Sequence, residues 1–412
     1  MIRLLDDERA GSPAFPPLER FADLIVGFGA NVQPGQVVAV SSEPGKEPLT
    51  RAVADAAYRR GAKFVDVQYF DLYVKRSRIL HAPEDTLDYV PSWYGERMLA
   101  LGDQRCARIG LSGPVAPGLL DGLDPGRAGR DQLPFLRETG IVVNAATTNW
   151  TISPCPTAGW AHQVHPDLDK GAALQRLWEQ VVHVCRLDEE DPQAAWSARI
   201  GDLVDVAERL SSLRFSELHF EGPGTDLHIG LLPSSRWICA SFQTVDGIRH
   251  MPNLPSEEVF SAPDPLRVDG VVAATTPLDL QGTIVEGLRV RFEGGRVAQI
   301  DADANADALR ARVALDEGAA RLGEVALVDR HGRIGPLDTV FFDTLLDENA
   351  ASHVALGNAY AFCVEDADRS RLNTSGIHID FMIGGADVAV TGVTQARERV
   401  PVLRGGDWQV GA

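Results

Sequence analysis

The sequence is poor in cysteine, and its cysteines form no recognisable pattern. The five that it has are scattered and odd in number, and none lies in a C-x-x-C pair. A disulfide framework and a thiolate zinc site are therefore not expected, and the pattern fits a reducing compartment. On this basis we predict a cytoplasmic protein.

Long apolar runs and an excess of basic residues are also lacking. No stretch approaches the roughly 18 residues that a membrane-spanning helix needs, and residues 1–15 are too polar and acidic for a signal peptide. Lys and Arg number 39 against 58 Asp and Glu, which gives a net charge of −19. Nucleic acids and anionic membranes are bound through clustered Lys and Arg, so we expect neither as a main partner.

The chain is long enough for two domains. It has 412 residues, of which 44% are apolar and 24% charged, an ordinary globular composition. In the first half, patterns typical of helices alternate with short apolar runs typical of strands. The predicted helices cover residues 18–28, 48–60 and 174–185, and the predicted strands cover residues 37–40, 63–69, 106–109 and 139–144. This alternation predicts an α/β N-terminal domain with a parallel sheet over residues 1–205.

The pattern changes after Leu213, where short strands and turns replace the helices. Glycines at 222–224 and 294–295 lie where hairpins would turn, and only residues 304–320 have a clear helical pattern. We predict a β-rich (α+β, barrel-like) C-terminal domain over residues 215–412. The functional site is expected in the cleft between the two domains, a common place for ligands.

Two segments of the first half could suggest a site, but a plainer interpretation is favoured for each. Trp160, His162 and His165 lie in a Pro/Gly-rich loop, where a structural or substrate-facing role is favoured over a metal site. Residues 41–48, SSEPGKEP, lack the glycine spacing and the Lys-Ser/Thr pair of a phosphate loop, and they predict an ordinary turn.

The segment from Asp347 to Ile383 concentrates residues that carry chemistry. His378 and Asp380 lie two apart in an alternating run, so both would project from the same face of a strand. Nitrogen and oxygen ligands of this kind suit a divalent metal of hard to borderline character. For an isolated His-x-Asp pair, the plainer interpretation is a histidine with its hydrogen bonds made beside a surface aspartate. Glu348 and His353, upstream in an apolar setting, favour a metal site.

Carboxylates occur at two further positions next to apolar residues. Glu257 and Glu258 precede an apolar run, and Glu324 begins a run that is typical of a buried strand. A charge at such a position is costly unless it is paired or bound to a metal, and both explanations of Glu324 stay open. In an extended segment Glu257 and Glu258 point to opposite faces, so only one is expected to enter a site.

Four segments of the second half occur in a characteristic order and spacing. They are PNLPSEEVFSAP, DEGAARLGEVALV, DTLLDENAASHVALGNAY and NTSGIHIDFMIGG. Together they resemble the thermophilic aminopeptidase family of metallopeptidases (aminopeptidase T / aminopeptidase S). GTDLHIGL at residues 224–231 resembles the segment that opens the catalytic half of that family. The resemblance spans most of residues 215–392, and the first half fits it more loosely.

The resemblance implies a metal-dependent aminopeptidase that removes the N-terminal residue from peptides or aminoacyl amides with activated water. It implies two divalent metal ions per chain (zinc, cobalt or manganese), and a homodimer. The metal ligands that it implies are Glu258, Glu324, Glu348, His353, His378 and Asp380. Glu258 is preferred to Glu257 on the family's spacing to Glu324 alone.

The resemblance also implies roles in catalysis. Glu324 is suited to bridge the two metals. Glu258 or Glu348, the choice being open, would carry the proton from water to the leaving amine. Tyr360 matches a tyrosine at the edge of the family's site and could donate a hydrogen bond to the tetrahedral oxyanion.

Two other functions fit part of the sequence. A ring-opening dioxygenase of dihydroxypyridines needs one iron held by two histidines and a carboxylate, which His353, His378 and Asp380 could supply. The additional Glu258 and Glu324 favour the dinuclear peptidase. A non-catalytic binding protein on an enzyme fold is disfavoured because the full set of acids and histidines is present.

Overall fold

The structure, a computed structural model, describes residues 18–131, 133–134, 136–280 and 282–410. The first half of the described chain alternates helices and strands. Its strands are β1 (Val37–Ser42), β2 (Phe64–Tyr69), β3 (Ala107–Ser112) and β4 (Trp150–Pro154). Its α-helices are α1 (Leu18–Leu24), α2 (Glu47–Arg59), α3 (Leu72–His81), α4 (Ser92–Asp103), α5 (Pro125–Arg130), α6 (Arg137–Asn144), α7 (Ala158–Val164), α8 (Lys170–Val184) and α9 (Pro192–Ser212).

The strands of the first half form a parallel sheet in the order β2-β1-β3-β4. Its inner strand β1 buries Val38 and Val40 completely, because helices join and cover the strands of a parallel sheet. The helical pattern predicted over residues 18–28 is α1 followed by a π-helical turn, Ile25–Gly29. The parallel α/β arrangement predicted for this half is confirmed.

One predicted strand of this half is wrong. Residues 139–144 belong to helix α6, in which Val142 is buried close to Gly102 of α4 while Ile141 is 55% exposed. A helix on the surface buries one side only, and this packing overrides the strand preference of the β-branched run. The outer strand of the sheet beside β3 is instead β4, which pairs with it in parallel.

The predicted loop around Trp160 is also wrong, since it contains the short helix α7. Thr157 caps this helix by accepting a hydrogen bond from Trp160 N at 3.2 Å. The Trp160 ring is fully buried, and its Nε1 donates to Phe341 O of the second half at 2.5 Å. Tertiary packing of this one large side chain holds the segment in place.

The second half consists mainly of antiparallel strands. Its described strands form two large sheets and two two-stranded ones. They are β5 (Phe215–Gly222), β6 (Thr225–Leu231), β7 (Ile238–Cys239), β8 (Phe242–Gln243), β9 (Arg249–His250), β10 (Glu258–Ser261), β11 (Pro263–Ala273), β12 (Leu278–Asp279), β13 (Ile284–Val285), β14 (Arg289–Glu293), β15 (Arg296–Asp301), β16 (Leu322–Val328), β17 (His353–Gly357), β18 (His378–Met382), β19 (Ala389–Thr394), β20 (Arg399–Arg404) and β21 (Asp407–Trp408). Its α-helices are α10 (Ala306–Val313) and α11 (Thr344–Glu348).

An eight-stranded sheet has the order β15-β14-β11-β6-β5-β19-β20-β21, and a five-stranded sheet has the order β18-β17-β16-β10-β7. The predicted hairpin turns are present, with Gly224 at φ +72° between β5 and β6, and Gly294 and Gly295 at +54° and +80° between β14 and β15. Glycine adopts such positive φ values without steric cost. The large antiparallel sheets confirm a β-rich second half, whereas its barrel-like shape and the boundary at 205–215 stay predictions.

The two halves share an apolar core and backbone hydrogen bonds. One large cluster of buried side chains contains Trp160 and Trp196 of the first half together with Leu254 and Phe341 of the second. Ile152 of β4 donates to Pro252 O at 2.7 Å and accepts from Leu254 N at 2.9 Å. These bonds fix the segment that precedes β10. Among the described residues, no helix has both the length and the apolar character needed to cross a membrane.

Candidate metal centre

One face of the five-stranded sheet carries most of the predicted site residues. Alternate residues of a strand point to the same face, and the pairing of β10, β16, β17 and β18 brings such positions side by side. The predicted site residues on this face are Glu258, Glu324, His353, His378 and Asp380. Within β18 the alternation places His378 Nε2 3.4 Å from Asp380 Oδ1.

Glu324 lies between the two histidines. Its Oε1 is 3.6 Å from His353 Nε2, and its Oε2 is 3.6 Å from His378 Nε2. Glu258 Oε2 approaches the same nitrogen of His353 at 3.2 Å. The carboxylate of Glu324 therefore presents one oxygen to each imidazole, an arrangement that suits a bridging ligand.

Glu348 reaches the site from the end of α11. Its Oε1 accepts a hydrogen bond from Asn253 Nδ2 at 2.9 Å. Glu348, His353 and Asp380 each offer a ligand atom within 4.8 Å of the others. A second such group consists of Glu258, Glu324 and His353. The two groups overlap at His353, so all six predicted ligands, His378 included, lie in one connected cluster.

The carboxylates of the cluster are buried beside histidines. The residues Glu258, Glu324, Glu348 and Asp380 are between 5% and 8% exposed. Within the described part of the chain, the ion pairs of these carboxylates are made with histidine and with neither lysine nor arginine. Glu258 Oε2 is buried without a partner in hydrogen-bonding geometry. Burying an uncompensated carboxylate costs several kcal/mol, so the cluster requires protons or cations.

The electrostatic coupling is visible in the pKa values of the acids. Burial, followed by the neighbouring carboxylates Asp380 and Glu258, raises the pKa of Glu348 well above its ordinary value. Burial also raises the pKa of Glu324, although His353 acts in the opposite direction. Burial would raise the pKa of Asp380 too, but His378 outweighs it, and this pKa is lowered.

The histidines respond in the complementary way. Burial would lower the pKa of His353, but its contacts with Glu258 and Glu324 outweigh burial and raise the pKa well above its ordinary value. The pKa of His378 is raised to about 10 against burial, chiefly by Asp380. Without a metal the cluster therefore holds protons on its imidazoles. A divalent cation would replace them, as expected of metal binding to histidine and carboxylate ligands.

The histidine orientations fit metal ligation. His378 Nδ1 lies 2.8 Å from Asn358 O, and His353 Nδ1 lies 3.2 Å from Ala351 O. A ring nitrogen that donates to a backbone carbonyl carries the proton, which leaves Nε2 of the same ring as a ligand. Both Nε2 atoms face the carboxylates. The donor set, its burial and this orientation fit divalent metal ions.

Tyr360 borders the cluster. Its ring centroid is 5.3 Å from that of His378. Burial, followed by the carboxylates Glu324 and Asp380, raises the pKa of Tyr360 well above its ordinary value. The phenol therefore stays protonated and can act as a hydrogen-bond donor.

The other residues considered from the sequence lie elsewhere. Glu257 points away from the cluster and is bound by Arg186 and Arg199 at 2.9 and 2.5 Å. Asp347 accepts a hydrogen bond from Phe341 N at 2.8 Å, and burial raises its pKa to about 8. His165 Nε2 lies 2.8 Å from Gln180 Oε1.

Sequence reasoning missed two features. Asn253, which holds Glu348, lies in the PNLPSEEV segment, but an asparagine has no sequence signal for such a contact. His219, Asp226 and His228 form a further group of potential ligands on the β5–β6 hairpin. The signal for that group was present, since a cross-strand pair brings His219 opposite His228.

Comparison with known proteins finds relatives that match almost the whole chain. The thermophilic metalloprotease (M29) family matches residues 16–408. Aminopeptidase T of Thermus thermophilus is 42% identical over 402 residues, which are 95% of this chain and 98% of the relative. Aminopeptidase AmpS of Bacillus subtilis is 35% identical over 402 residues, with the same coverage. The solved structure of wild-type AmpT from Thermus thermophilus has a TM-score of 0.85 and 41% identity, covering 95% of this chain and 98% of that one.

The fold and the cluster of acids and histidines together define a metallopeptidase. The chain belongs to the thermophilic metalloprotease family M29. The resemblance predicted from the sequence and the enzyme class, a metallo-aminopeptidase and thus a hydrolase, are confirmed. The family implies divalent metal cofactors. The alternative of a ring-opening dioxygenase finds no support in these matches.

Proposed function

We propose that this protein removes the N-terminal residue from peptides or aminoacyl amides at a centre of two divalent metal ions. The observation that supports two ions is the position of Glu324. One of its oxygens faces His353 and the other faces His378. A single ion would need three or four of the six clustered donors, and the remaining buried carboxylates would stay uncompensated.

Each histidine offers one Nε2 and so serves one ion. His353 with Glu258 would hold one ion, His378 with Asp380 would hold the other, and Glu324 would lie between them. Bound divalent ions would polarise the scissile carbonyl and lower the pKa of a water molecule.

The proton from that water requires a carboxylate that is not fully engaged as a ligand. Of the two candidates, Glu348 is the better placed, because Asn253 holds its Oε1 and leaves the other oxygen to accept a proton. Glu258 approaches His353 directly and is assigned to the ligand set. Glu348 would pass the proton to the leaving amine. Tyr360 would donate a hydrogen bond to the oxyanion that develops on the carbonyl.

The test is chelation followed by reconstitution. The purified protein, exhaustively chelated, should lose hydrolysis of leucyl and alanyl amides, and zinc, cobalt or manganese should restore it. Blocking the amino terminus of the same amides by acetylation should abolish turnover, because an aminopeptidase needs the free α-amine. A reconstituted protein that cleaves no aminoacyl amide, or that cleaves the acetylated amides equally well, would contradict the proposal.

We further propose that the enzyme is a homodimer in the cytoplasm. β2 is an edge strand that exposes Phe64, Val67 and Tyr69, and the following helix α3 exposes Tyr73 and Val74. An apolar edge of this kind suits pairing with a second copy. Sedimentation that shows only a 44.5 kDa species at micromolar concentration would contradict the dimer.

A further inference from the structure

A continuous row of aromatic side chains begins at the metal centre. From the His378 ring, Tyr360 is 5.3 Å away between centroids, and the Phe362 ring is stacked on Tyr360 at 5.2 Å with an interplanar angle of 13°. The Phe242 ring meets Phe362 edge to face at 4.7 Å, and Trp150 meets Phe242 at 6.2 Å. The row therefore leads away from a proposed metal ligand without a break.

This row lies over the same sheet face as the metal ligands. Phe260 of β10 is paired opposite Ala326 of β16, and both lie two residues from a proposed ligand on the same side of their strands. They belong to a small apolar cluster that is separate from the main core, and Tyr360, Phe362 and Phe242 pack against it. The aromatic surface and the metal ligands thus form adjoining parts of one surface.

The rings of the row are only partly buried. Trp150, Phe242, Tyr360 and Phe362 all keep part of their surface accessible, whereas Phe260 beneath them is 4% exposed. Burying a whole aromatic side chain is worth about 2 kcal/mol or more, so leaving several adjacent aromatic residues partly exposed has a cost in stability. An apolar ligand group that covers them would recover it.

Both halves of the protein fix the position of these rings. Ala361 N donates to Asn144 Oδ1 of the first half at 2.8 Å, which holds the turn between Tyr360 and Phe362. Phe242 is paired with His250 in the β8–β9 hairpin. Val245 N, in that hairpin, donates to Ala146 O at 2.9 Å. A surface held from several directions can select a ligand by shape.

We propose that Phe242 and Phe362, with Trp150 at the far end, form the subsite for the side chain of the substrate's N-terminal residue. The preferred substrates would then begin with a large apolar residue such as leucine or phenylalanine. This inference rests on the proposed aminopeptidase function. In that function the α-amine and the scissile carbonyl are held at the metal centre, so the side chain on the intervening carbon begins beside it.

The chemistry of the subsite points in the same direction. Phe242, Phe362 and Trp150 carry no charge, so an aspartate or glutamate side chain placed against them would lose its hydration without gaining an ion pair from these rings. The subsite should therefore reject acidic residues as well as small ones.

The test compares kcat/KM for alanyl, leucyl, phenylalanyl and glutamyl p-nitroanilides with the metal-loaded enzyme. A hydrophobic pocket discriminates by roughly 10- to 200-fold per group of this size, so the wild type should prefer phenylalanyl to alanyl substrate by at least about tenfold. Phe362→Ala and Phe242→Ala should each reduce this ratio by about tenfold. Tyr89→Ala removes an aromatic ring that is 64% exposed, and it should keep the wild-type ratio.

Dipeptides determine which substrate residue occupies the subsite. Phe362→Ala should impair cleavage of Phe-Ala far more than that of Ala-Phe. Equal losses on both dipeptides, a larger loss on Ala-Phe, or an unchanged selectivity ratio in both variants would overturn the inference. If an alanine variant loses its bound metal, Phe362→Leu and Phe242→Leu replace it in the test. In the leucine variants we expect the preference to shift from phenylalanyl to leucyl substrates. Failure of the proposed function is distinct, because the wild type would then cleave none of these substrates.

Discussion

Glu257 and Glu258 are consecutive residues whose carboxylates lie in opposite environments. Glu257 is fully buried between Arg186 and Arg199, and its backbone N–H donates to Asn349 Oδ1 at 2.6 Å. Glu258 lies on the other face of the chain, 3.2 Å from His353 Nε2. The two residues therefore form a matched pair, one held between two arginines and the other beside a histidine of the cluster.

Replacing each of these acids with glutamine should separate stability from activity. Glu257→Gln takes a buried carboxylate away from two partly buried arginines, of which Arg199 keeps Asp329, and this should lower the free energy of unfolding by about 3 kcal/mol. Glu258→Gln removes one of several carboxylates that share His353, so the metal-free variant should lose less stability than Glu257→Gln, while kcat/KM should fall about a hundredfold or more. Urea unfolding of the metal-free variants and amide hydrolysis by the metal-loaded ones measure the two effects. A larger loss of stability in Glu258→Gln, together with a larger loss of activity in Glu257→Gln, would contradict the structure.

Tyr360→Phe removes the hydroxyl and keeps the ring. If Tyr360 donates to the oxyanion, kcat should fall by roughly 10²- to 10³-fold, whereas KM and the number of bound metal ions should change little. The ring contacts with Phe362 and His378 are preserved in this variant. A raised KM with an unchanged kcat would show instead that the hydroxyl only binds substrate.

Asn253→Ala removes the closer of two donors to Glu348 Oε1, at 2.9 Å, while Asn349 Nδ2 remains at 3.4 Å. A residue that orients a functional carboxylate typically contributes 10- to 100-fold, so kcat should fall by about that factor. The pH at which kcat rises to half its maximum should also change, because the proton-carrying carboxyl loses a hydrogen bond. A variant with reduced stability but a wild-type pH profile would give Asn253 a purely structural role.

His250 should make the protein sensitive to acid. Burial lowers the pKa of His250 from 6.5 to about 4, and its contact with Ile248 O only partly opposes this. Between these values the unfolded chain binds a proton that the folded chain does not, so this contribution to stability is complete above pH 6.5 and is lost as the pH falls toward 4. His250→Gln should remove this dependence.

The measurement for His250 is urea unfolding at pH 7.5 and pH 4.5, with metal-free protein in both cases. Wild type should lose on the order of 3 kcal/mol more than His250→Gln between these two values. Parallel losses in the two proteins would show that His250 is accessible to protons in the folded state.

Local patterns were enough to predict much of the second half. The apolar run at residues 322–328 predicts β16, and the alternation of His378 and Asp380 predicts that they share a face, as they do. Glycines 294–295 predict the β14–β15 hairpin because they adopt positive φ values.

Features that depend on distant packing could not be predicted. Residues 139–144 have a strand-like composition, but Val142 is buried against α4, and a helix forms. Asn253, which donates to Glu348, reaches the cluster from a segment positioned by β4 of the other half. No local pattern records such contacts, because the residues that they bring together are distant along the chain.

Counting bound metal tests directly whether two metal ions share Glu324. Glutamine at this position is neutral and bridges poorly, so Glu324→Gln should reduce bound zinc or cobalt from two ions per chain to one, measured by equilibrium dialysis and elemental analysis. Hydrolysis of a leucyl amide should fall by roughly a hundredfold or more, since a lost electrostatic contribution on the order of 3 kcal/mol corresponds to that factor. A wild-type protein that binds one ion, together with a Glu324→Gln variant that keeps both that ion and its activity, would contradict the account.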